Sequence, residues 1–141
     1  MPNPATVLMV DDDQEIVRGA SLRLRAAGYS LLTAHEADAG IATAISNRPD
    51  LILLDVRLPR RDGLSVLSEL KRRPETKSIP VVMLSASIVD QQAALDAGAR
   101  FFLRKPYCGD ILVQAIRTAL TAHDEVCSLA DTHSMGAGSY D

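Results

Sequence analysis

A few residues of this chain have the chemistry to handle a hard cation or a phosphoryl group, and each stands at the end of an apolar run. Asp11, Asp12 and Asp13 follow Thr6–Val10 (TVLMV). Asp55 closes Leu51–Asp55 (LILLD). Ser85 closes Pro80–Ser85 (PVVMLS), and Lys105 follows Arg100–Leu103. Clustered carboxylates repel one another and need a counterweight. A hard divalent cation bound by oxygens supplies one, and Mg²⁺ suits a site that keeps water and shares a phosphate oxygen. A carboxylate beside such a cation can attack phosphorus to give an aspartyl-phosphate. The transition state spreads charge over three equatorial oxygens, which a cation, a lysine and a hydroxyl can stabilise.

The elements that must position these groups can be read from periodicity. Ser30–Ala34 (SLLTA) adds one more strand-like run, making five. The first, third and fourth runs do not alternate apolar with polar, as expected of parallel strands covered on both faces. Helical patterns lie between the runs. Ile16, Ala20, Leu24 and Ala27 share a face of the first helix, which ends at Gly28. Ala37, Ile41, Ala44 and Ile45 line the second, which stops near Pro49. Gly63, Leu67 and Leu70 face inward from the third, and Pro74 follows its end. The fourth is expected over Ser87–Ala97, closed by Gly98. Cys108, Leu112, Ala115, Ile116 and Ala119 stripe the fifth.

Five successive βα units predict an α/β protein, a flavodoxin-like doubly wound (βα)5 three-layer sandwich with parallel strand order 2-1-3-4-5. Such sheets bind ligands beyond the carboxyl ends of their strands. That rule brings Asp11, Asp12, Asp55, Ser85 and Lys105 to one edge. Singly, each has a plainer reading: an aspartate after a strand is often a helix cap, as Asp13 is placed to be, and a lone lysine is usually solvated. In matching strand order on one edge they read as a site.

The segments VLMVDDD, LILLDVRLPRRDG, PVVMLSA and DAGARFFLRKPY, with the spacing between them, resemble the receiver domains of bacterial two-component response regulators. The resemblance covers about 5–123, and 124–141 is expected to be a helix extension and a mobile tail or linker stub. The resemblance implies that Asp55 is the phospho-acceptor, that Asp12 binds Mg²⁺ directly, and that Asp11 holds it through water. Arg57 would offer its backbone carbonyl to the metal. Ser85 matches the switch hydroxyl, Lys105 the lysine that pairs with a phosphoryl oxygen, and Phe102 the aromatic residue that follows activation. Lys105–Pro106 matches the family's cis peptide.

The implied function is a switch rather than an enzyme with an external substrate. A sensor histidine kinase or phosphotransfer protein donates the phosphoryl group, and the output passes through helix 4, strand 5 and helix 5 to a downstream protein. The chain departs from the family in two places. Neither Phe101 nor Phe102 has a phenol, and Arg60-Arg61 makes the loop after Asp55 more basic than usual. In receivers the residues two past the acceptor and two past the switch hydroxyl flank the hydrolytic water; here these are Arg57 and Ser87. Arg57 has no acceptor with which to orient that water. Slow self-dephosphorylation is therefore expected, the alternative being that Arg57 points into solvent.

Composition limits the remaining classes. The 141 residues, 47% hydrophobic and 23% charged, suit one globular domain with a core. A net charge of −3 gives no overall basic field for nucleic acid. No run approaches a membrane span, and Met1-Pro2-Asn3-Pro4 starts no signal peptide. Cys108 and Cys127 form neither a metal motif nor a disulfide framework, so a cytoplasmic location is expected. Leu22, Ile111 and Val113 lie off the helix stripes, and Ile111 is a candidate for weak phosphorylation-dependent homodimerisation. The chain is readable as a single-domain regulator, or as a receiver excised from a transcriptional regulator or hybrid kinase. A haloacid-dehalogenase-like phosphatase would need a second Asp where Arg57 stands. A flavodoxin-like cofactor binder would need a phosphate-cradling loop after strand 1.

Overall fold

The computed structural model describes residues 4–125, with side chains to residue 121. Five strands, β1 (Thr6–Val10), β2 (Ser30–Ala34), β3 (Leu51–Asp55), β4 (Val81–Ser85) and β5 (Phe101–Arg104), form one parallel sheet in the order β2-β1-β3-β4-β5. The helices between and after them are α1 (Gln14–Ala26), α2 (Ala37–Asn47), α3 (Gly63–Arg72), α4 (Gln91–Asp96) and α5 (Gly109–Glu125). This is the flavodoxin-like arrangement expected of five βα units.

The central strands have no polar face because both faces are covered. Successive side chains of a strand point to opposite faces. In β1, Leu8 and Val10 join a core with Ile41 of α2, Leu67 of α3 and Ala94 of α4. Val7 and Met9 join a second core with Leu24 of α1 and Leu112 and Ile116 of α5. β3 divides in the same way, with Ile52 and Leu54 in the first core and Leu51 and Leu53 in the second. Burying each such aliphatic side chain contributes roughly 1.5–3 kcal/mol, so the two cores fix the register that aligns the strand ends. Val10 pairs with Leu54, Asp55 with Leu84, and Ser85 with Arg104.

Several boundaries and faces differ from the sequence reading. β4 starts at Val81 rather than Pro80, which has no N–H to donate to the ladder. β5 is displaced by one residue to Phe101–Arg104. The buried stripe of α1 is Val17, Ala20, Ser21 and Leu24, with Ile16 partly buried and Ala27 exposed. Cys108 is exposed and precedes α5, leaving Leu112, Ile116 and Ala119 as the buried residues of that helix among the side chains described. Val113 packs against the second core, whereas Leu22 and Ile111 are exposed.

The largest departure is the fourth helix. In place of one helix over Ser87–Ala97 there is a 3₁₀ turn, Ile88–Asp90, followed by the six-residue α4. The Ser87 hydroxyl accepts the Val89 N–H at 3.2 Å, and the β-branched pair Ile88-Val89 is poorly suited to an α-helical first turn. Of the segment expected to extend beyond the domain, only residues 124 and 125 are described, as the end of α5. The rest, with Cys127, lies outside the described residues. Among the described residues no helix is long and apolar enough to cross a membrane.

Candidate functional site

The site is built from the loops that leave β1, β3, β4 and β5. Asp11, directly after β1, is fully buried, and its amide donates to Ala34 O at 3.1 Å. Its Oδ1 accepts the Asp13 N–H at 3.0 Å, which turns the chain into α1. Asp13 is spent on capping that helix: its Oδ1 accepts from Glu15 N at 3.0 Å and Ile16 N at 3.2 Å. Asp12, between the two, is exposed. Asp55, the last residue of β3, is 4% exposed, and its Oδ1 accepts the Arg57 N–H at 3.2 Å.

The chain turns sharply after Asp55. Gly63 N donates to Val56 O at 2.7 Å, and a Cβ on Gly63 would lie 2.1 Å from the Asp55 carbonyl oxygen. Only glycine allows the start of α3 to press so closely on the acceptor strand. The Asp62 side chain caps α3 by accepting from Ser65 N at 2.9 Å.

Lys105 enters from the loop after β5, where the Lys105–Pro106 peptide is cis. Its Nζ lies 3.0 Å from Asp11 Oδ2 and 3.1 Å from Asp55 Oδ2. One lysine thus bridges two buried carboxylates. Ligand oxygens of Asp11, Asp12 and Asp55 all lie within 4.8 Å of one another.

The electrostatics follow from burial. Removal from water, followed by the charge of Asp11, pushes the Asp55 carboxyl up to about 6, against the opposing pull of Lys105 and the Arg57 N–H. Burial also disfavours the Lys105 ammonium. The hydrogen bond to Asp11 and the charges of Asp55 and Asp11 outweigh it, so the lysine is held above its ordinary value. Two carboxylates and one ammonium leave the pocket net negative, and the all-oxygen donor set fits a hard divalent cation such as Mg²⁺.

The other expected residues lie around this centre. Ser85, at the end of β4, is fully buried, and its hydroxyl donates to Asp90 Oδ2 at 2.7 Å. Ser87 N donates to Ser85 Oγ at 3.0 Å, while the Ser87 hydroxyl accepts from Val89 N. The Arg57 side chain is 68% exposed and reaches Asp90 Oδ2 at 3.2 Å. Phe102, opposite Met83 in the sheet, is half-buried against the core formed with α2, α3 and α4. The basic pair is neutralised locally. Arg60 reaches Glu36 at 3.5 Å, and Arg61 pairs with Glu69 at 2.6 Å and Asp38 at 3.7 Å.

Two residues of this neighbourhood escaped the sequence reading. Asp90 looks like an ordinary polar position of a helix, and no spacing rule connects it to Ser85. Tyr107 carries a buried hydroxyl without a partner among the described residues, and burial raises its pKa.

The family model for the response regulator receiver domain matches residues 7–117. The chain is 37% identical over 122 residues to the DNA-binding dual master transcriptional regulator RpaA of Synechocystis sp., covering 85% of this chain and 51% of that protein. It is 38% identical over 119 residues to the probable transcriptional regulatory protein TcrX of Mycobacterium tuberculosis, covering 83% and 50%. The chain thus spans about half the length of these curated relatives. Among solved structures it resembles the chemotaxis response regulator CheY4 of Vibrio cholerae, with a TM-score of 0.78, 29% identity, and 82% and 98% of the two chains covered. It also resembles the receiver domain of the sensor histidine kinase PA1611 from Pseudomonas aeruginosa PAO1, with a TM-score of 0.78, 26% identity, and coverage of 84% and 98%. That structure has a magnesium ion coordinated in its active-site cleft.

Proposed function

The chain belongs to the response-regulator receiver family, and on that premise we propose that it is a Mg²⁺-dependent switch turned on by phosphorylation of Asp55. The observation that carries the reading is the Asp11–Lys105–Asp55 bridge, with Asp12 beside it, at the carboxyl edge of the sheet. Asp55 is the nucleophile. With its carboxyl pushed up to about 6 it is mostly ionised at neutral pH, yet more basic than an ordinary aspartate.

A carboxylate oxygen of Asp55 forms a bond to the donor's phosphorus while the donor's N–P bond breaks, its electron pair staying on the departing imidazole. Lys105, already 3.1 Å from Asp55 Oδ2, pairs with a phosphoryl oxygen. Asp12 and Asp55 would hold Mg²⁺ directly, Asp11 through water, and Arg57 through its backbone carbonyl. Bound there, the cation offsets charge on the transferring group. Ser85 supplies the switch hydroxyl, and Phe102 is the aromatic residue expected to follow it. Arg57 and Ser87 tune the lifetime of the phosphorylated state.

The donor is a histidine kinase or a phosphotransfer protein. A cleft of about 600 Å³, lined by Ile16, Arg23, Lys105, Tyr107 and Leu112 among others, opens beside Lys105 and gives such a partner a place to approach. The output passes through α4, β5 and α5, where Ile111 is 48% exposed and available for a phosphorylation-dependent homodimer or a protein partner. Relatives about twice as long are transcriptional regulators, which supports a transcriptional output carried by a separate module. Receivers act on themselves rather than on an external substrate, and a cytoplasmic site of action fits that role.

Intact-mass measurement after treatment with a small phosphodonor and Mg²⁺ tests the assignment. Wild type should gain one phosphoryl group and Asp55→Asn none. Equal labelling of the two proteins would refute Asp55 as the acceptor.

A further inference from the structure

The Ser85 hydroxyl is already engaged. It is fully buried, accepts the Ser87 N–H at 3.0 Å, and stands 2.7 Å from Asp90 Oδ2. An ionised carboxylate has no hydrogen to give, so the serine is the donor. The same Asp90 oxygen accepts Arg57 Nη2 at 3.2 Å, and the Asp90 side chain is only 13% exposed. The Arg57 backbone in turn donates to Asp55 Oδ1. A path of contacts therefore runs Asp55–Arg57–Asp90–Ser85, separate from the Lys105 bridge.

A hydroxyl carries one hydrogen. It can serve a phosphoryl oxygen on Asp55 only by leaving Asp90. We propose that Asp90 is a positioning residue that holds the Ser85 hydroxyl in its resting placement and competes with a phosphoryl group on Asp55 for that hydrogen. The inference rests on Asp55 being the acceptor. Release does not orphan Asp90, because the Arg57 guanidinium remains as its partner. Asp90 also ends the 3₁₀ turn that carries Ile88 and Val89, 52% and 81% exposed. Loss of the Ser85–Asp90 bond removes one of the contacts that hold that apolar turn to the strand end, beside the Ser87 N–H on Ser85 and the Arg57 pair, so occupancy at Asp55 loosens the surface presented ahead of α4. The resting and released states compete as two populations, and removing Asp90 favours the second.

The test uses beryllofluoride with Mg²⁺ as the phosphoryl mimic, titrated against the 141-residue chain while the Ser85 and Ser87 amides are followed by NMR. Asp90→Ala should bind about ten-fold tighter than wild type, since no charge-assisted hydrogen bond need break. Asp90→Asn, which keeps the shape and a neutral acceptor, should fall between them and decides the matter if the alanine variant fails to fold. In a Ser85→Ala background the Asp90 substitutions should have no effect on affinity, because no hydroxyl is contested. The proposal is overturned if the Asp90 variants bind no tighter than wild type. It is equally overturned if they tighten binding as much without the Ser85 hydroxyl, which would mark a general loosening of the loop. If wild type and Asp55→Asn respond identically to the mimic, the Asp55 reading itself fails and takes this proposal with it.

Discussion

Replacing Asp55 by Asn should stabilise the metal-free protein at neutral pH, the opposite of what most substitutions at buried positions do. Asp55 is 4% exposed, and its carboxyl rises from 3.8 to about 6 because burial and Asp11 disfavour the ionised form more than Lys105 and the Arg57 N–H favour it. A carboxyl raised on folding is neutral in the folded chain while still ionised in the unfolded one between those two values. The destabilisation is therefore absent below the unfolded value, builds as pH rises toward about 6, and is complete above it. A rise of about two units at roughly 1.4 kcal/mol per unit gives about 3 kcal/mol. Asparagine removes the charge and keeps an oxygen for the Arg57 N–H. A gain of about 1–3 kcal/mol is expected, seen as an increase in Tm on the order of 4 °C per kcal/mol for a domain of this size. Thermal unfolding with a chelator, compared near pH 7.5 and near pH 4.5, measures it. The gain should shrink at the lower pH, and Mg²⁺ should narrow it near pH 7.5 by neutralising the wild-type cluster. An Asn variant less stable than wild type at neutral pH, or equally stabilised at both pH values, would refute the account of the site as a buried carboxylate pair that one lysine only partly compensates.

Three further outcomes follow from the same geometry. Asp12 is exposed and is not needed for the core, so Asp12→Ala should leave the melting curve of the metal-free protein unchanged while weakening Mg²⁺ binding about ten-fold or more in a titration. Arg57→Asn replaces a pure donor with a side chain able to accept a hydrogen bond from water, so phospho-Asp55 should decay several-fold faster, by roughly 1 kcal/mol of barrier, in a mass-resolved time course. Gly63→Ala places a methyl group against the Asp55 carbonyl oxygen, and urea unfolding should show a loss of about 3 kcal/mol or more.

The sequence by itself determined the architecture and the residues of the central cluster. Unbroken apolar runs at β1, β3 and β4 can be stable only with both faces covered, which requires helices on each side and therefore parallel βα units. Once the strands are parallel, their carboxyl ends share one edge, so Asp11, Asp55, Ser85 and Lys105 had to converge whatever the details of packing. Their spacing also carried the receiver resemblance that the comparisons established. The tertiary structure decided what depends on distances between loops. Helix 4 reads as one continuous segment over Ser87–Ala97, yet its first turn is drawn into a 3₁₀ conformation where Ser87 caps Val89 and Asp90 turns back to Ser85. Cys108 fits the α5 stripe by periodicity but lies before the helix begins, so the period does not apply to it. Arg57 could have pointed anywhere in solvent, and its placement on Asp90 was fixed only when the loops after β3 and β4 came to lie side by side. Periodicity reports which face of an element is buried. It carries no information on which of several exposed polar groups will meet across two loops, because that choice rests on single hydrogen bonds formed after the core has set the strand ends in place.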